Sequence, residues 1–227
     1  MFSDYFSLLL ITWQAGVVES KEKYMPRVVI RDYGVRNGKL YVGGEVHISV
    51  SYDFYLKHVK KYDEPKGNLI GGVDVNVDRI NLTIVDESGK LRDVKTFWFS
   101  AITARGYPRN SAWSIIGMRI HELLSYAYHH GVSTIALENP DVLGRLRLMW
   151  IRSGDRRHKN YNYRVAIFRS RVTEVIAMKA PIYGLHVSYV SPKGTTNSRE
   201  HDEVMKTYGL DRHTASAYLI ALKSIQK

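Results

Sequence analysis

The chain has 227 residues, of which 44% are apolar and 24% charged, a composition that supports a full hydrophobic core and excludes a disordered polypeptide. Lys and Arg number 33 against 22 Asp and Glu, a net charge of +11 that points to a polyanionic partner, most simply nucleic acid. Cysteine is absent, which rules out disulfides, thiolate zinc sites and thiol catalysis.

Residues 1–26 read as a poorly defined lead-in. Asp4 and the lack of a basic start argue against a secretory signal. The apolar stretch from Phe6 to Val18 is interrupted by Ser7, Thr12 and Gln14, and falls short of the ~20 residues that span a bilayer. A cytoplasmic protein is the expectation.

Residues 27–68 read as a small β-rich domain and a linker. Val28 to Ile30 is a strand candidate, Asn37-Gly38 a hairpin turn, and Val46 to Tyr52 alternates with period two. Tyr62 to Asn68, with Pro65 and Gly67, reads as the linker.

Residues 69–227 read as the main domain. Strands are expected at Ile70–Val75, Asn81–Val85 and Val94–Phe99, the last two joined by a turn at Glu87-Ser88-Gly89-Lys90. A helix follows, capped by Asn110 or Ser111, with Trp113, Ile116, Ile120, Leu123, Leu124 and Ala127 on its apolar face and Gly131 at its end. Val132–Glu138 is a fourth strand. A basic loop then leads to a helix over Tyr163–Lys179, and His186–Val190 is a fifth strand. Pro192 to Thr207 reads as a polar loop before a last helix over Arg212–Ser224. The order β-β-β-α-β-α-β-α predicts an α/β fold of the RNase H-like (RuvC-like) kind: a mixed five-stranded sheet with flanking helices.

Three acids stand out. Asp74 lies in an otherwise apolar strand, where an unpartnered charge is costly. Glu138 ends another apolar strand. Asp211 opens the last helix, where an N-cap is the competing role, and His213 follows one turn in. Asp78, Asp86 and Asp141 read as turn acids. Clustered carboxylates repel unless a cation neutralises them, so Asp74, Glu138 and Asp211 are expected to ligate Mg2+ or Mn2+. Two such ions would serve phosphodiester hydrolysis, with His213 beside them.

These blocks carry a resemblance. Gly72-Val73-Asp74-Val75-Asn76 resembles the first RuvC-like motif of the transposon-encoded TnpB (OrfB-type) transposase family, relatives of type V CRISPR effectors. Ile135-Ala136-Leu137-Glu138-Asn139 is similar to the second motif. Gly184-Leu185-His186-Val187, Pro192 and Thr195-Thr196-Asn197-Ser198 resemble the family's "Gly-x-x-Val, Pro, Thr-Ser" segment. Asp211-Arg212-His213-Thr214-Ala215-Ser216-Ala217 resembles the third motif. The likeness covers about residues 27–225 and implies a DNA endonuclease with a guide RNA as a further partner, the first 68 residues matching part of a wedge domain. Two features depart from the pattern. No cysteines are present for the family's zinc ribbon, so no zinc is expected. His213 also stands where the family commonly has a catalytic Asp.

From Gly144 to Arg171 the chain is rich in Arg and Lys and interleaved with Trp150, Tyr161, Tyr163 and Phe168. Arginine forks bind phosphate and aromatic rings stack on bases, so Arg145, Arg147, Arg152, Arg156, Arg157, Lys159 and Arg164 are expected to contact nucleic acid. Two rivals to the endonuclease are a binding protein that has lost cleavage and a Holliday-junction-resolvase-like enzyme.

Overall fold

The computed structural model describes residues 25–59, 62–63, 65, 67–140, 156–195 and 198–226. They fall into two compact units divided after Val59. No helix among the described residues is long and apolar enough to cross a membrane.

The first unit is an antiparallel hairpin of β1 (Met25–Arg36) and β2 (Lys39–Ser49), followed by helix α1 (Tyr52–Val59). Asn37 and Gly38 both adopt positive φ, 52° and 73°, the type I′ geometry that matches strand twist. The alternation read through Tyr52 stops at Ser49. Ser51 instead accepts a hydrogen bond from the Phe54 N–H at 3.1 Å, and a helix starts there.

The second unit is built on a five-stranded sheet: β3 (Leu69–Val75), β4 (Arg79–Val85), β5 (Leu91–Trp98), β6 (Val132–Glu138) and β7 (His186–Val190), in the order β5-β4-β3-β6-β7. The first three strands pair antiparallel; β3–β6 and β6–β7 pair parallel. This is the mixed sheet expected of an RNase H-like fold. Asp86 makes the tight β4–β5 turn by accepting from Ser88 N, Ser88 Oγ and Lys90 N, bonds that, led by the Ser88 hydroxyl, hold its carboxyl down at about 2.

Helices α2 (Arg109–His129) and α3 (Arg156–Lys179) cover one face of the sheet. Ile116, Ile120, Leu123 and Leu124 from α2 and Val172 and Ile176 from α3 join Val73, Leu82, Ile135 and Leu137 in the main core. Neither Asn110 nor Ser111 caps α2; the helix begins after Pro108, whose fixed φ suits the position. Helix α3 starts seven residues before the predicted Tyr163, so the basic segment is helical from Arg156. Arg and Lys are good helix formers, and no Gly or Pro lies between Arg156 and Tyr163 to stop the helix spreading upstream.

Helices α4 (Arg199–Tyr208) and α5 (Arg212–Ile225) cover the other face. The predicted loop up to Thr207 is therefore largely helix. Its signals are Ser198 at the N-cap, accepting from His201 N–H, the acids Glu200 and Asp202 in the first turn, and Gly209 at φ 64° after the last. The buried imidazole of His201 ties α4 to α5, with Nε2 2.9 Å from the Arg212 carbonyl and 3.2 Å from Ser216 Oγ.

Helix α5 sits very close to the sheet at Gly72. A Cβ at that position would lie 2.0 Å from the Ala217 carbonyl oxygen and 2.6 Å from Ala221 N, both backbone atoms that cannot swing aside. Ala217 and Ala221, four residues apart on one helical face, supply the small side chains that permit this contact. Gly72→Ala is expected to cost about 3 kcal/mol of unfolding free energy by forcing α5 off the strand. Urea denaturation checks this, with Gly117→Ala, at an open position in α2, as a comparison.

Candidate active site

Strand register brings two of the predicted acids together. Val73 of β3 pairs with Leu137 of β6, so Asp74 and Glu138 follow on the next rung. Gly72 packs on α5 and Ala136 packs with Ile220 of α5; by strand alternation Asp74 and Glu138 point to the same face. Both acids are buried, at 4% and 8% exposure, at the C-terminal ends of adjacent parallel strands.

Asp74 is heavily hydrogen-bonded. Its Oδ2 accepts from Asn76 Nδ2 at 2.7 Å and lies 3.3 Å from His213 Nδ1. Its Oδ1 accepts from Arg169 Nη2 at 3.0 Å. Arg79, five residues on, pairs with Asp78 and lies over the Trp98 ring. Glu138 Oε1 accepts from Thr195 Oγ1 at 2.6 Å. Burial lowers the affinity of the Lys223 ammonium for its proton, and the negative charge of Glu138 acts against that.

Asn81 sits opposite Asp74 on β4 and is fully buried. Its Oδ1 accepts from Thr96 Oγ1 at 2.9 Å, while its Nδ2 has no partner among the described residues. Asn81, Thr195 and Arg169 are the site residues that sequence reasoning missed as such. Thr195 stood within the Thr-Ser block and Arg169 within the basic window, but nothing local marks either as a carboxylate partner.

Asp211 is the N-cap of α5. Its Oδ1 accepts from His213 N and Thr214 N, both at 2.8 Å, and from Thr214 Oγ1 at 3.0 Å. Burial pushes its carboxyl up, but these bonds from Thr214 and His213 outweigh that and leave it below the usual range. The cap places His213, not Asp211, against Asp74.

Among the described residues, no three His, Asp or Glu side chains converge as they stand to hold a metal ion. The donor types nevertheless fit one. Two carboxylates share a rung and an imidazole lies beside the first, a mixed set more congenial to Mn2+ than to Mg2+. The Arg169 Nε is buried without a partner among the described residues, which leaves the cation now at Asp74 incompletely satisfied by them. Asp74 and Glu138 would hold the ion, with His213 as the third donor.

Of the predicted nucleic-acid residues, Arg145, Arg147 and Arg152 lie outside the described residues, as does Asp141. Arg156, Arg157, Lys159 and Arg164 fall in the N-terminal part of α3.

No family model matches the chain. Two uncharacterized proteins of Aeropyrum pernix are each 56% identical to it over 93% of this chain, covering 57% and 50% of their own lengths. An uncharacterized protein of Saccharolobus solfataricus is 34% identical over 79% of this chain and 47% of its own length. The chain thus spans about half the length of the curated relatives it matches. Among solved structures, T. thermophilus RuvC in complex with Holliday junction substrate aligns at TM-score 0.45 with 17% identity, over 69% of this chain and 91% of that one.

The capping role of Asp211 has a signed pH dependence. A depressed carboxyl stabilises the fold above the unfolded-state value, near 4, and loses that contribution as pH falls through the folded value. Asp211→Ala is expected to cost about 1 kcal/mol at neutral pH, with Asp211→Asn close to wild type. Thermal melts from pH 7 to pH 2 should show the Ala variant's deficit shrinking in acid.

Proposed function

We propose that the chain is a divalent-metal-dependent endonuclease that hydrolyses DNA phosphodiesters. The observation that carries this reading is the pair of buried carboxylates, Asp74 and Glu138, on one rung and one face of adjacent parallel strands. Burying two acids side by side is unfavourable unless a cation joins them. Bound there, a divalent ion would polarise the phosphoryl oxygen and lower the pKa of a water. The chain's own residues do the rest. Asn76 fixes the Asp74 carboxylate, Thr195 fixes Glu138, and the Asp211 cap sets the first turn of α5 so that His213 faces Asp74. The +11 charge draws the phosphate backbone to the protein, with the basic N-terminal part of α3 as the proposed track.

The transposon relation rests on the four motif blocks named above, as does an RNA guide. One observation favours a second reading, a nucleic-acid-binding protein that no longer cuts: Arg169 already neutralises Asp74.

Incubation of single-stranded, double-stranded and four-way-junction DNA with Mg2+ or Mn2+ decides between them. Cleavage that disappears in Asp74→Asn and Glu138→Gln supports the endonuclease, and preference for the junction favours a resolvase. Retained binding without cleavage under either metal leaves the binding protein. Separately, replacing Arg156, Arg157 and Lys159 with Ala should flatten the log–log salt dependence of DNA affinity by about 2–3 units, measured by fluorescence anisotropy. An unchanged slope would make this part of α3 a solvated surface.

A further inference from the structure

We infer that Arg169 occupies the cation position at Asp74, so that its ion pair with Asp74 and a divalent ion at that carboxylate exclude one another. This rests on the metal-dependent reading above and assigns a residue to the control of that site.

The geometry is specific. Asp74 Oδ2 is taken by Asn76 and faces His213, which leaves Oδ1 as the oxygen for a cation. That oxygen accepts from Arg169 Nη2 at 3.0 Å, with the two side chains only 5% and 21% exposed. The guanidinium comes from α3, whose Val172 and Ile176 pack in the core on the opposite face from α5. It therefore enters the site independently of the α5 elements that hold His213.

The pairing also leaves a cost uncovered. A structural Arg–carboxylate pair usually satisfies the guanidinium's donors through a two-bonded fork or added acceptors. Here Nε is buried with no partner among the described residues. The charge of Asp74 thus holds Arg169 in a position that leaves its Nε unsatisfied by the described residues. Two neighbouring acids attract a doubly charged ion more strongly than a single guanidinium. A metal arriving at Oδ1 would meet a like charge within contact distance and must displace it. The 21% of Arg169 still open to solvent gives the side chain a way out.

Mn2+ binding by the intact chain, followed by loss of the free-ion paramagnetic resonance signal, tests the idea without any activity measurement. Arg169→Gln should bind Mn2+ about tenfold or more tightly than wild type, because the competing charge is gone. Arg169→Lys should stay near wild type, and Asp74→Asn should abolish binding in either background. Binding by Arg169→Gln alone, with none by wild type, supports the inference in its strongest form. Equal or weaker binding by Arg169→Gln overturns it while leaving the metal-dependent reading intact. Failure of both wild type and Arg169→Gln to bind brings down the metal reading, and this inference with it. Wild type offers an independent check by NMR: the Arg169 Nε–H should be protected from solvent exchange without metal and lose that protection at Mg2+ saturation. An unmoved, protected signal at saturation would overturn the inference even if the Gln variant fails to fold.

Discussion

Helix α5 lies on strand β3 at a distance only glycine allows, and most of the site follows from that contact. With Gly72 against the Ala217 carbonyl, the helix is held two residues before Asp74, on the same strand face. The contact is reinforced one strand away, where Thr83 Oγ1 donates to the Thr214 carbonyl at 3.0 Å. That bond pins the first turn of α5 to β4, on the same turn that carries His213. Any side chain at position 72 would tilt the helix and carry the imidazole away from Asp74, so the glycine sets the chemistry as well as the packing.

The second constraint is electrostatic. A chain with +11 overall charge has gathered buried acids at the ends of two strands and supplied each with its own donors. Asp74 takes an amide, an imidazole and a guanidinium, drawn from three different elements. Glu138 takes a threonine hydroxyl from the loop after β7. Among the described residues the Asn81 Nδ2 beside Asp74 has no partner, so they do not close this polar cluster on itself. Clusters left partly unsatisfied are common where function outweighs stability.

Much of the fold was legible because its signals are local. Strands β6 and β7 match their predicted bounds, since Val132–Glu138 and His186–Val190 are short apolar runs bounded by glycine or a polar turn. The apolar face of α2 was legible too: Ile116, Ile120, Leu123, Leu124 and Ala127 recur at helical spacing, and all are buried. Helix α4 was harder because Arg199 to Tyr208 is polar on most faces and buries only His201 and Val204, so its caps had to be read without a hydrophobic stripe. Within the site, Asp74 and Glu138 stood out as acids in apolar strands. Their partners did not, because Arg169 lies 95 residues from Asp74 and Thr195 lies 57 from Glu138, and only the fold brings them together. For Asp211, sequence left two roles open, and the bonds from Thr214 and His213 account for the capping one.

The hairpin of the first unit behaves differently. Val28, Ile30, Val35, Leu40 and Val46 are between 58% and 82% exposed, on strands that, among the described residues, pair only with each other. The heat-capacity increment of unfolding comes chiefly from apolar surface newly hydrated as structure is lost. These side chains are hydrated already, so melting the hairpin changes little in that quantity. Among the described residues, the heat-capacity increment of unfolding is therefore chiefly that of the five-stranded unit.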